Sequence, residues 1–399
     1  RVLLSDRRAS RIEVTPDTGG TFVLRLRVSD GKVWSAPREV SIEVFDYVVV
    51  RETKPGAVSG LAKADDAGLK RIRRLYLDVL GRPPTPGEAV AEERRPYWDL
   101  VANVLLRAES GRNWVEDATD RFGLVDDLRP SGDEAGALAL RIPAENVAPA
   151  AAEAILVRDP SFLRAHPPGR TLAEAIARRL LDRAPTPEEL AAAQALAEGR
   201  PAEVPGLGAV ADGGQWLERV IASEEFAKAA VRRWLARWLP SGPVEKNLNA
   251  ALLAIRNGPA AWRKFQETLL LSPDYLGRRE LLPKRKLTFL RSLFWDLLER
   301  RPTDRELVAL ARAVDLLPGA SAPYAAVAKV LVDSGQVPIP LLVDIEDAPA
   351  WIIDRFLRYL GRRPTPAELK GFGQALLDPL GGPELVMLAL LTSPEYACR

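Results

Sequence analysis

The chain of 399 residues has one cysteine, Cys398, one histidine, His166, and one methionine, Met387. A lone cysteine excludes an intrachain disulfide and any zinc or haem site built on cysteine pairs. A lone histidine removes two-histidine metal sites and most zinc sites. No apolar run is long enough to span a bilayer, so the chain is not expected to be integral to a membrane. Charge of one sign is not in excess either, since 56 basic residues face 54 acidic ones. A dedicated nucleic-acid binder concentrates basic charge, so no nucleic-acid partner is expected. Catalytic fingerprints are missing as well: there is no Gly-x-Ser-x-Gly elbow, P-loop or dinucleotide motif. His166 lies in Arg164-Ala165-His166-Pro167-Pro168-Gly169, a stretch that reads as a surface loop. Asp117, Asp120, Asp126 and Asp127 cluster, but their spacing fails an EF-hand loop. No catalytic residue, cofactor or metal ligand is assigned. The first residue is Arg1 rather than Met, so the expectation is a piece of a longer or processed polypeptide.

What is present begins with strands. Ile12 and Val14, then Phe22, Leu24, Leu26 and Val28, then Val40, Ile42 and Val44 alternate with polar neighbours, the period of half-buried strands. Asp17-Thr18-Gly19-Gly20 and Ser29-Asp30-Gly31-Lys32 punctuate them, and Asp-Gly is a strong hairpin signal because Gly supplies positive φ without steric cost. The run Gly20-Thr21-Phe22-Val23-Leu24-Arg25-Leu26-Arg27-Val28-Ser29-Asp30-Gly31 resembles the late strands of polycystic-kidney-disease-type immunoglobulin-like modules. A complete sandwich of this class needs about 100 residues, so about half is here. The resemblance implies an extracellular or periplasmic setting. It also implies that an upstream segment or another chain completes the module.

From Leu69 the pattern turns helical and one motif recurs four times, at Leu80–Glu88, Leu181–Glu189, Leu298–Glu306 and Leu360–Glu368. Its shared core is Leu-x-Arg-x-Pro-Thr-x-x-Glu. The chemistry is helix termination and restart. Gly81 and Gly361 suit the left-handed residue after a helix. The prolines block continuation. Thr85, Thr186, Thr303 and Thr365 are N-caps, with Glu88, Glu189, Glu306 and Glu368 at the third helical position, a capping box worth roughly 1 kcal/mol per threonine. The motif arginines Arg82, Arg183, Arg300 and Arg362 read first as local locks of the turn, and alternatively as a partner contact made four times. A second element closes amphipathic helices with a Ser-centred break: Ser223-Glu224-Glu225-Phe226, Ser272-Pro273-Asp274-Tyr275 and Ser393-Pro394-Glu395-Tyr396, with Asp159-Pro160-Ser161-Phe162 as a degenerate cousin.

Arg74-Leu75-Tyr76-Leu77-Asp78-Val79-Leu80-Gly81-Arg82-Pro83-Pro84-Thr85-Pro86 resembles the helical domain of unknown function common in planctomycete secreted proteins. The turn and the closing Ser-x-Glu-Phe/Tyr also resemble the phycobilisome-linker-like repeat of bacterial surface proteins. Both resemblances imply secreted or surface-associated, scaffold-like roles, and neither brings a catalytic site.

The fold class expected is mainly α: helical repeat bundles, four helix–turn–helix copies, with a small N-terminal immunoglobulin-like β module. That module covers residues 1–50 and a linker 51–67. Repeats follow over 68–165, with an insertion, and 166–244, then a connecting half-unit over 245–285 and repeats over 286–340 and 341–399. Trp216, Trp234 and Trp238 fall in helical contexts where most tryptophans should be core anchors, and are candidate contact residues if exposed; the basic run Arg278, Arg279, Lys284, Arg285 and Lys286 reads first as a solvated helix end and is a second candidate contact. Asp344, Glu346 and Asp347 read as the N-cap and first turn of the helix at Trp351. The function expected is a non-catalytic structural or interaction subunit of an extracytoplasmic assembly, acting through contacts with other protein subunits. The alternative is a carbohydrate-binding or adhesive module of a larger surface protein.

Overall fold

The computed structural model describes short strands within residues 2–44, and then residues 66–124, 132–239, 244–277, 284–316, 322–378 and 381–398. It divides into two compact units, Arg1–Thr53 and Lys54–Arg399. The first unit contains strands. β1 (Val2–Leu4) pairs antiparallel with β2 (Val14–Pro16), and β3 (Gly20–Leu26) pairs antiparallel with β4 (Arg38–Val44). The alternating residues of the sequence meet in register, Phe22 opposite Ile42 and Leu24 opposite Val40. Ile12, Val28 and the turn at Ser29–Lys32 lie outside the described residues.

The second unit is mainly helical. α1 (Asp66–Leu75) runs into a π-helical turn, Tyr76–Leu80, and is followed by α2 (Pro86–Glu93), α3 (Tyr97–Leu106) and α4 (Ala108–Phe122). Next come α5 (Gly132–Glu145), α6 (Pro149–Arg158), α7 (Pro160–Ala165) and α8 (Arg170–Glu174), the last ending in a second π-helical turn, Ala175–Leu180. α9 (Pro187–Ala197) leads into a small hairpin, β5 (Ala202–Val204) and β6 (Gly208–Val210), inserted before α10 (Gly213–Ile221) and α11 (Glu224–Trp238). α12 (Val244–Arg256), α13 (Pro259–Leu270) and α14 (Pro273–Leu276) follow. The remainder is α15 (Lys286–Leu298), α16 (Asp304–Leu316), α17 (Ala322–Asp333), α18 (Ala348–Leu360), α19 (Pro366–Leu377), α20 (Pro383–Leu391) and α21 (Pro394–Ala397).

Each motif turn stops one helix and starts the next by the same local chemistry. The residue before the motif arginine is left-handed in all four: Gly81 at φ 71°, Asp182 at 56°, Glu299 at 55° and Gly361 at 67°. That conformation turns the chain out of the helix and lets backbone N–H groups of the turn satisfy the last carbonyls, as Gly81 N does for Tyr76 O and Gly361 N for Leu357 O, both at 3.0 Å. Three residues past the arginine, threonine caps the next helix. Glu88 N donates to Thr85 Oγ1 at 3.2 Å while Thr85 N donates to Glu88 Oε2 at 2.9 Å, and the same reciprocal pair forms at Thr186, Thr303 and Thr365. Asp347 caps α18 by accepting from Ala350 N at 2.9 Å, as its acidic stretch suggests.

Three large apolar cores hold the helices. One joins α4 to α11, with Phe122, Phe162 and Trp216 at its centre. A second gathers α1, α3 and α11–α14 around Trp234, Trp238 and Trp262. The third runs through α15–α21 and is shared by the third and fourth turns. Trp216, Trp234 and Trp238 are therefore core anchors rather than contact residues, at 0, 7 and 4% exposure. The physical reason is aromatic packing: Trp234 lies 4.1 Å from Trp238 and 4.7 Å from Trp262, centroid to centroid.

Candidate functional site: a clasp that joins the two motifs

In every turn the motif arginine grips its own capping glutamate fork to fork, the strong geometry for a guanidinium on a carboxylate. Arg82 Nη1 and Nη2 donate to Glu88 at 2.6 and 2.9 Å. The matching distances are 2.8 and 2.7 Å for Arg183 on Glu189, 2.9 and 2.7 Å for Arg300 on Glu306, and 2.9 and 2.8 Å for Arg362 on Glu368. Nη1 also donates to the carbonyl of the next residue in each copy, at 3.0 Å to Pro83, 3.2 Å to Ala184, 3.1 Å to Arg301 and 3.0 Å to Arg363. One carboxylate thus caps the new helix and neutralises the arginine that ends the old one.

A second acceptor comes from the Ser-centred break. Glu395 of Ser393-Pro394-Glu395-Tyr396 takes Nε and Nη2 of Arg362 at 2.8 and 2.7 Å. Glu225 of Ser223-Glu224-Glu225-Phe226 takes Nε of Arg183 at 2.6 Å. The two recurring motifs are two halves of one clasp. The same relation identifies two closing elements that the sequence conceals. In the first copy Glu109, within Arg107-Ala108-Glu109-Ser110, accepts from Arg82 at 2.9 and 3.1 Å. In the third, Gln336 of Ser334-Gly335-Gln336-Val337 accepts from Arg300 at 3.2 Å. Asp159-Pro160-Ser161-Phe162 is a capped break of the same kind, with Ser161 N donating to Asp159 at 2.8 Å, but the acceptor on Arg82 is Glu109. All five N–H groups of Arg82 and of Arg362 have acceptors within the chain, which fills a guanidinium's donor inventory.

An aromatic six residues before the arginine forms the floor. The guanidinium carbon lies 5.4 Å from the Tyr76 ring centroid for Arg82, 5.1 Å from Phe294 for Arg300 and 5.3 Å from Phe356 for Arg362. The second copy has Ala177 there. The Arg82 guanidinium also lies 4.6 Å from the Trp295 ring centroid, and Arg82 is 2% exposed. Burial alone would raise the Glu88 carboxyl, but Arg82 and the Thr85 amide hold it down at about 2. Hydrogen bonding to Arg300 and to Arg362 brings Glu306 and Glu368 to about 2 as well.

Two tyrosines of the Ser-Pro-x-Tyr breaks reach further. Tyr275 donates its hydroxyl to Asp78 at 3.0 Å, and Tyr396 donates to Asp296 at 2.9 Å. Asp78 and Asp296 each stand four residues before a motif arginine, in the first and third copies. The break that starts α14 thus returns to the first turn, and the break that starts α21 returns to the third.

The described part of the basic run, Lys284 to Lys286, is not an open patch. Lys284 is 5% exposed with its ammonium 3.6 Å above the Tyr396 ring, and burial pushes its pKa well below the lysine range. Arg285 pairs with Asp117 at 2.8 Å, and Lys286 pairs with Asp120 at 3.1 Å and Asp315 at 2.8 Å. The run reads as a solvated helix end in the sequence because those acidic partners are far away along the chain. Arg278, Arg279, Asp126 and Asp127 lie outside the described residues, and no cluster able to hold a metal ion occurs among the described ones. His166 is buried, correcting its placement in a surface loop. Its Nε2–H donates to the Phe122 carbonyl at 2.7 Å, and its ring meets Phe162 edge-on at 4.9 Å. Among the described residues no helix is long and apolar enough to cross a membrane.

No family model, curated protein or solved structure matches the chain.

Proposed function

We propose that the chain is a non-catalytic structural or interaction subunit of an extracytoplasmic protein assembly, periplasmic or at the cell surface. Its helical unit is a four-copy repeat scaffold, and its first fifty residues are part of an immunoglobulin-like module. The observation that carries the interaction role is a run of exposed apolar side chains between α17 and α18. Leu341, Leu342 and Val343 are 68, 40 and 86% exposed. Single exposed leucines are ordinary on a protein surface, whereas a contiguous apolar patch marks a contact site. Pro338 and Pro340 restrict the approach to this run, and Leu341 N donates to Asp344 at 3.3 Å, so the three side chains are presented on a turn. Asp344 and Glu346 are exposed beside them. The surface fits a protein partner with an apolar groove and a basic rim. The extracytoplasmic setting rests on the resemblance of Gly20–Gly31 and Arg74–Pro86 to modules of secreted and surface proteins.

Cross-linking of the chain within an envelope fraction is the test. Residues 341–343 are expected to join another polypeptide, and Leu341→Asp with Val343→Asp to remove those cross-links without moving the thermal midpoint. A second reading, a carbohydrate-binding or adhesive module, has Trp98 in its favour, 64% exposed on α3. No cross-link from 341–343, together with glycan binding that Trp98→Ala abolishes, would select this reading.

A further inference from the structure

We propose that the partner of the Leu341–Val343 turn is a second copy of this chain, which receives it on the exposed face of α3. The assignment rests on the reading of that turn as an assembly contact and names its occupant. α3 buries Leu100, Val101 and Val104 in the core and leaves its opposite side open. On that side Trp98 is 64% and Leu106 60% exposed. Trp98, Ala102 and Leu106 stand four residues apart, so they line one stripe of the helix over about 12 Å. Alanine in the middle leaves a dip between an indole and a leucine. A short apolar turn such as Leu341-Leu342-Val343 can seat a side chain in that dip, and an exposed tryptophan is the kind of anchor that dominates such contacts. The turn and Trp98 are both exposed in one chain, so the turn does not cover its own α3.

Charge selects this occupant. The turn runs into Asp344, Glu346 and Asp347, all exposed, and no basic residue lies between Gln336 and Ala350. Asp344 and Asp347 accept backbone N–H groups, and among the described residues none of the three is paired with a cation. The rim of the α3 face carries the opposite sign. Arg94 is exposed one turn before Trp98, and Arg71, exposed on α1, lies 5.8 Å from the ring of Tyr97, the residue beside Trp98. Neither arginine is paired with a carboxylate among the described residues. Arg95, by contrast, is taken up by Glu92 at 3.0 Å and Asp99 at 3.7 Å. Each copy therefore offers an acidic apolar turn and a basic apolar face, and complementary potentials favour the meeting of one with the other. Unlike patches make a heterologous contact, which builds rings where the rotation closes and longer chains where it does not. A three-residue turn on one helix face is a small interface, so the contact should be weak, with a dissociation constant of roughly 10 µM or more.

The test is sedimentation velocity of the purified full chain over a concentration series, with two variants. One carries Leu341→Asp with Val343→Asp, the other Trp98→Asp. The wild type should associate as concentration rises, and added sodium chloride should weaken that association. Each variant alone should raise the dissociation constant at least about tenfold while keeping the wild-type thermal midpoint. Mixed in equal amounts they should form a species of two chains, because the turn variant keeps an intact α3 face and the Trp98 variant an intact turn. A wild type that stays monomeric up to about 100 µM overturns the proposal, and so does a mixture that stays monomeric while the wild type associates. A monomeric wild type whose residues 341–343 cross-link to a different polypeptide in the envelope fraction overturns the self-contact alone and leaves the assembly role standing. Self-association that neither variant weakens overturns the proposal as well, since the contact then lies elsewhere.

Discussion

Arg82 and Arg300 hold the same place in two turns and differ in burial, their side chains being 2 and 40% exposed. Removing a buried partner leaves poorly compensated charge, so Arg82→Ala, which takes the bidentate partner from Glu109 and leaves Glu88 with Arg107 at 2.9 Å, should cost about 3 kcal/mol. Arg300→Ala should cost about 1 kcal/mol or less, because water screens the exposed pair. Urea denaturation of both variants checks the order. Lys284 makes a different prediction. Its folded pKa lies below the ordinary 10.5, so between the two values the unfolded chain holds more protons and stability rises with pH. Lys284→Met removes that rise: the wild type should gain on the variant from neutral pH toward 10, and parallel stability curves would contradict it. At this scale the sequence showed the capping glutamates, because they always stand six positions after the motif arginine. The closing acceptors were harder, since they stand 27, 42, 36 and 33 residues beyond the arginine. Helices of different length, and in the second copy a hairpin, fill that interval. The first and third copies also replace Ser or Glu, with Arg107 and Gln336. His166 and Lys284 escaped because burial depends on which helices meet.

The turn as an element is defined by its left-handed residue. Glycine marks it in two copies, while Asp182 and Glu299 occupy the same conformation in the others and give no such signal in the sequence. Gly81 has a second reason to be glycine. A Cβ there would sit 2.1 Å from Asn113 Oδ1, the atom that accepts from Arg291 at 2.7 Å. Gly81→Ala therefore meets both left-handed strain and a broken buried hydrogen bond, and should cost about 3 kcal/mol or more. Gly199 is equally left-handed with open space around it, so Gly199→Ala should cost only about 1–2 kcal/mol. Thermal unfolding of the two variants separates the causes. Equal losses would mean that the contact with Asn113 contributes nothing.

Across the whole helical unit, the same positions are used twice over. Arg73 and Arg291, each nine residues before a motif arginine, cross between the first and third copies: Arg73 donates to Asp296 at 3.1 Å and Arg291 to Asn113 at 2.7 Å. Tyr275 and Tyr396 close back onto Asp78 and Asp296. None of this pairing is legible in the sequence, because each contact joins residues 100 or more positions apart. What holds the scheme together is the union of two short motifs in one clasp, so the most direct measurement is a double-mutant cycle across it. Arg362→Met, Glu395→Gln and the double variant suit this, because the pair is only partly buried and the single variants should fold. In urea denaturation the coupling energy should be about 1–2 kcal/mol. Effects that add to within about 0.3–0.5 kcal/mol would contradict the clasp.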